Sequence, residues 1–179
     1  MKRFLLIVVA ALAAPACASG PRSASEQVTM MDKAAATLGE MRARDPGIGD
    51  VVQNAYAYAV FPDVGKAGLI VGGSSGHGIL YEHGVPTGNV HIEQASLGLQ
   101  AGAQTFAELV VLRNQDEVNR LKAGKFDLGT NVSAVIIQTG AAATTGTARG
   151  NTVFVLPKGG AMIDVSVSGQ RILFAPLSG

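Results

Sequence analysis

Glycine recurs at even-numbered positions through the apolar middle of this chain, at Gly68, Gly72, Gly76 and Gly78. On a continuous β-ladder alternate residues share a face, so these four fall on one side of a sheet. Gly98 and Gly102 do the same within the following run. A strip without Cβ atoms lets a sheet curve tightly or lets another element approach closely. We read the strip as a structural need ahead of ligand contact. Glycine makes up 23 of the 179 residues, about twice the usual share of roughly 7%.

The rest of the chain supplies the elements around that strip. Ser23 and Glu26 have capping-box spacing, which starts a helix near Ala24. Val28, Met31, Ala35, Leu38 and Met41 then recur at helical spacing as one apolar stripe. Asp45-Pro46-Gly47 stops this helix, and a shorter helical turn covers Asp50 to Ala55. From Tyr56 the pattern becomes strand-like. Tyr58 to Phe61 is a short run ended by Pro62, followed by runs at Ala67 to Ser74 and Gly76 to Glu82. His83 to Gly88 is a turn cluster. Val90 to Ala103 reads as one long, bent strand and Thr105 to Leu112 as another.

Asp116 to Lys122 reads as a helix with acidic residues at its start and basic ones at its end. Val132 to Gln138, Thr152 to Leu156, Ala161 to Val167 and Arg171 to Phe174 complete the strands, with a mobile small-residue loop over Gly140 to Gly150. Short connections favour antiparallel pairing. The fold class is therefore α+β: N-terminal helices, then a strongly curved, barrel-like, mostly antiparallel β-sheet with one further helix.

The first residues form an export signal. Lys2 and Arg3 precede an uncharged apolar run from Phe4 to Ala14, too short to span a bilayer. Ala14-Pro15-Ala16 and Ala16-Cys17-Ala18 both satisfy the small-x-small rule of ordinary signal peptidase. The alternative is a lipobox cut before Cys17, the one cysteine of the chain, whose thiol would carry a diacylglycerol. Ala14 stands where leucine is favoured and Pro15 is uncommon there, yet the lone thiol sits at the one useful position. We expect a signal peptide over 1–16, a lipidated Cys17 with a tether over 17–23, and a single domain over 24–179. Ala18 after the cysteine, where Asp would retain the protein, directs it toward an outer membrane, facing the periplasm or the cell surface. Losing Lys2 and Arg3 from 14 basic residues set against 13 acidic ones leaves a net charge of −1. That balance argues against nucleic acid as a partner.

Several chemistries are formally present and fail on context. Gly72-Gly73-Ser74-Ser75-Gly76 matches G-x-S-x-G, but the residues after it are strand-like where a nucleophile elbow needs a helix. The last histidine, His91, leaves no triad order downstream. Lys66 follows Gly65 without the spacing of a phosphate loop. His77, His83 and His91, with Glu82 and Glu93, lack metal-ligand spacing, and the histidines read as solvent-facing. We expect no catalytic residues, no metal and no cofactor.

Three stretches resemble a known family. Val60-Phe61-Pro62 with Gly65-Lys66-Ala67-Gly68 and the run Gly72 to Gly78 is similar to the opening of the SYLF domain. Ala95 to Gln104 resembles its second signature. Lys158-Gly159 followed by an alternating strand resembles its third. The similarity spans residues 30–177 in the family's order. It implies a non-catalytic lipid-binding module: eukaryotic members bind phosphoinositides and some associate with actin, while bacterial members are often exported lipoproteins. Membrane phospholipids with anionic or phosphoinositide-type head groups are the partners implied. The candidate contacts are Lys33, Arg42 and Arg44 on the first helix and Lys66 beside the glycine strip. Asp32, Glu40 and Asp45 offset the helix's charge, a departure from the basic helix of eukaryotic members. The alternative is an envelope structural or interaction protein whose lipid is its own acyl anchor.

Overall fold

The computed structural model describes residues 23–68, 71–97, 102–128, 132–137, 151–160 and 169–177. The export signal, Cys17 with its tether to residue 22, Gly98, the loop over 140–150 and the strand over 161–167 lie outside the described residues.

Two helices come first, α1 (Ala24–Arg44) and α2 (Gly47–Asn54). Strands β1 (Ala57–Gly68), β2 (Val71–Glu82), β3 (Val85–Leu97) and β4 (Gly102–Leu112) follow. After α3 (Gln115–Lys122) come β5 (Asp127–Leu128), β6 (Val132–Ile136), β7 (Asn151–Gly160) and β8 (Gln170–Pro176). All eight strands form one sheet in the order β5-β8-β3-β2-β1-β4-β7-β6. The pairings are antiparallel except that of β6 with β7, which is parallel.

In that order β3, β2, β1 and β4 separate β8 from β7. Nevertheless Ile172 of β8 and Val153 and Val155 of β7 belong to one buried cluster, with Phe61, Phe106 and Phe126. The sheet is therefore curled into a half-barrel with this cluster on its concave side, where Val118 and Leu121 of α3 join it. Tyr58, Val60, Ile79, Leu109 and Phe154 form a second cluster on the convex side. Ala34, Leu38 and Met41 of α1 and Ile48 and Val52 of α2 cover them. The expected α+β architecture is the one found.

The helix boundaries follow the local chemistry. The Ser23 hydroxyl accepts a hydrogen bond from the Glu26 backbone N–H at 3.2 Å, which supplies a partner for one of the free donors of the first turn. Asp45, ahead of Pro46, is already extended and closes α1. The apolar stripe differs from the spacing-based one. Val28 is exposed, as is Ala35, and the buried positions are Gln27, Ala34, Thr37, Leu38 and Met41. The sheet buries the C-terminal half of the stripe fully, while Met30 and Met31 nearer its start are only partly buried against the same cluster.

The strand boundaries differ from the expected runs. Pro62 does not end a strand; β1 runs through it. The register with both neighbours shifts between Val60 and Val64, and a bulge is where a residue without an N–H fits a sheet. The run expected over Ala67 to Ser74 crosses from β1 into β2. The turn cluster is only His83-Gly84, at φ 50° and 81°, the doubly positive turn that matches strand twist. The single strand expected over Val90 to Ala103 is two: β3 pairs with β2 and β8, whereas β4 pairs with β1 and β7.

The glycine strip has a steric origin at this bulge. A Cβ on Gly78 would lie 2.2 Å from the Val60 carbonyl oxygen and 2.8 Å from the Phe61 ring. One on Gly76 would lie 2.8 Å from the Asp63 carbonyl oxygen. The bulged backbone of β1 leans into the space that side chains on β2 would fill.

Candidate functional site

The corner between α1 and α2 is built around Asp45. Its backbone N–H donates to the Met41 carbonyl at 2.9 Å, its carbonyl accepts from Ile48 N–H at 3.1 Å, and its Oδ1 accepts from Gly47 N–H at 3.0 Å. Together these bonds set α2 against the end of α1 and above the start of β1. The turn His83-Gly84 reaches the same corner from the β2–β3 hairpin. His83 N–H donates to the Tyr56 carbonyl at 3.2 Å, and the two rings meet edge to face with centroids 4.5 Å apart. The Tyr56 hydroxyl donates to Gln115 Oε1 at the start of α3.

These elements surround an open cleft of about 610 Å³, with Arg42, Asp50, Gln53, Tyr58 and His83 supplying its polar groups. Val52 and Ala55 contribute apolar surface. Tyr58 stacks on its cross-strand partner Tyr81, with centroids 5.0 Å apart and planes inclined by 13°. Burial raises the proton affinity of both phenols, and the nearby Arg42 charge pulls that of Tyr58 back down. Arg42 itself is exposed and makes no salt bridge with any described residue. A planar guanidinium with free donors beside apolar wall and aromatic floor suits an anionic group carried on an apolar body. Asp50 is the one acidic residue on the lining, so the local balance is near neutral, set by Arg42 against Asp50.

The four basic residues picked out in the sequence do not converge. Only Arg42 borders the cleft. At 3.6 residues per turn, Lys33 and Arg44 project from the opposite flank of α1, and Arg44 donates to Glu40 Oε1 at 2.8 Å. Lys66 is buried, 6% exposed, on the concave side of the sheet. Tyr58 and His83 also line the cleft; the sequence reading has His83 as solvent-facing and gives Tyr58 no role. The signal available was the Tyr56, Tyr58, Tyr81, His83 set, spaced by two at the start of β1 and the end of β2, which pair there.

The remaining polar residues occupy separate places. Ser74 lies within β2, is buried, and donates to Gln94 Oε1 at 3.1 Å, so the G-x-S-x-G stretch is strand throughout. His77 faces His91 across the β2–β3 ladder with ring centroids 4.3 Å apart. His91 Nε2 lies 3.1 Å from Glu93 Oε1. The rings are thus half-buried rather than fully solvent-facing. Glu82 accepts from Thr87 at 2.6 Å and pairs with Lys122 of α3 at 2.6 Å; these hydrogen bonds hold its carboxyl below the usual range against the opposing effect of desolvation. Among the described residues no group of three or more such side chains is arranged to hold a metal ion. No described helix is long and apolar enough to cross a membrane.

Residues 93–175 match the family model described as Ysc84, Las17-binding protein actin regulator. No curated protein matches the chain. The matched segment runs from β3 to β8 and contains Ala95 to Gln104 and Lys158-Gly159, the second and third of the stretches resembling the SYLF domain. On that match, residues 93–175 of the chain are similar to the SYLF domain family, in line with the resemblance of those two stretches.

Proposed function

We propose that this chain is a non-catalytic lipid-binding module held at the bacterial envelope by an acylated Cys17, and that an anionic phospholipid head group binds in the cleft beside Arg42. The observation that carries the reading is the Arg42 guanidinium at the rim of an open, half-apolar cleft with no carboxylate among the described residues bonded to it. The resemblance to the SYLF domain supports the choice of a lipid. The lone cysteine behind an apolar leader supports the anchor, and Ala18 after it supports an outer-membrane destination. Each basic residue near an anionic surface contributes about 1 kcal/mol, so a cleft with a single free cation binds modestly and the acyl group does the holding.

The test is vesicle co-sedimentation of the Cys17→Ser chain, which isolates the domain's own affinity. Anionic vesicles are expected to bind it and phosphatidylcholine vesicles to bind it far less. Arg42→Glu is expected to weaken binding about tenfold, roughly 1.4 kcal/mol, whereas Lys33→Glu with Arg44→Glu has a smaller effect. A second reading, an envelope interaction protein, is favoured by the family description, which names a protein-binding role. Absence of binding to every anionic lipid would leave that reading in place.

A further inference from the structure

Glu108 lies in the middle of β4, between Phe106 and Val110, and its side chain turns into the concave core. It is fully buried, as is Gln170 at the start of β8. Gln170 Nε2 donates to Glu108 Oε2 at 3.2 Å. Since β1, β2 and β3 separate β4 from β8 in the sheet, this bond is not a ladder contact. It crosses the inside of the half-barrel. The other two oxygens, Glu108 Oε1 and Gln170 Oε1, are buried and have no hydrogen-bond donor among the described residues. Two buried acceptors left without a donor are expensive in an apolar interior.

A carboxylic acid and a primary amide are planar forks of similar span, and one bond between them is already made. One proton on Glu108 Oε1 supplies a donor for Gln170 Oε1 and satisfies both oxygens at once. We propose that Glu108 and Gln170 form a proton-dependent latch across the inside of the sheet: the protonated carboxyl and the amide close a ring of two hydrogen bonds that fastens β4 to β8, and loss of that single proton opens it.

The surroundings agree. Phe61 and Val64 of β1, Leu80 of β2, Ile92 of β3, Val155 of β7, Ile172 of β8, Leu128 of β5 and Leu121 of α3 make the concave face apolar around the pair. Among the described residues, the other charged groups on that side are Lys66 toward one end and the Glu82–Lys122 pair at the α3 end. Asp63 of β1, Lys158 of β7, Asp127 of β5 and Arg171 of β8 are exposed. Burial drives the Glu108 carboxyl up to about 7, against a smaller opposing effect of the Gln170 amide. The folded protein therefore holds a proton that an unfolded chain releases near 4.5. The stability this group gives is complete below the lower value and is lost as pH rises through the upper one.

The full chain, with Glu108 observed by carboxyl carbon NMR, provides the test. The Glu108 resonance is expected to titrate near neutrality. Thermal unfolding of the native chain should lose stability between pH 4.5 and about 7. Glu108→Gln mimics the protonated fork, can close the same ring, and should keep its melting temperature nearly level across that window. A Glu108 resonance that titrates near 4.5 would overturn the latch even if the variant fails to fold, as would a Glu108→Gln chain that keeps the native pH slope.

Discussion

At Gly78 a single methyl group would meet the Val60 carbonyl oxygen at 2.2 Å, and neither group is a flexible side chain that could swing away. Gly78→Ala is expected to destabilise the chain by about 3 kcal/mol. Gly65, with nothing within 4 Å of a built Cβ, should accept alanine with little change; urea unfolding of both variants is the measurement. The parity of the glycines was readable in the sequence because it needs only the alternation of a strand. Lys66 was not. Counted from Tyr58 without a bulge it belongs outside, and the extra residue at Pro62 turns it inward. Glu108 shows the same limit from the other side. A carboxylate set between Phe106 and Val110 is visible in the sequence, but its meaning depends on Gln170, a residue 62 positions away.

Elements differ in how openly their ends are written. α1 announces its start through Ser23 and its end through Asp45-Pro46, and both are where the chemistry of caps and prolines puts them. The face it buries was harder to place, since Ala34 and Thr37 pack inward where Val28 does not. Met41 is fully buried between α1 and the convex sheet face. Met41→Ala should therefore lower stability by about 3 kcal/mol, whereas Val28→Ser should change it by under about 0.5 kcal/mol, both read from thermal or denaturant midpoints. Helix–sheet packing is thus carried by the second half of α1. Strand partners were not legible. Alternation fixes which face a residue takes, but it says nothing of which neighbour a strand chooses, and the parallel β6–β7 pair leaves no local mark.

For the whole molecule the proposed function separates two jobs, holding and selecting. Cys17→Ser is expected to move the chain from the membrane fraction to the soluble fraction in its native host, as followed by fractionation and immunoblotting, without altering the cleft. Arg42→Glu is expected to leave an acylated chain in the membrane fraction while removing the preference for anionic lipid. A chain that stays in the membrane fraction after Cys17→Ser would place the holding elsewhere.

The strand order also dictates a schedule. β1 to β4 are consecutive in sequence, and the central block β3-β2-β1-β4 is assembled from residues 57–112 by pairings among themselves. Both flanks of that block come from later in the chain, β7 against β4 and β8 against β3. A growing chain that has reached residue 112 therefore presents two raw edges, each with a row of unanswered N–H and C=O groups. The last of the described strands, β8, closes the β3 edge and delivers Gln170 at the same moment. Closure across the interior thereby waits for residue 170, and a chain truncated before it should be aggregation-prone with its central four strands formed.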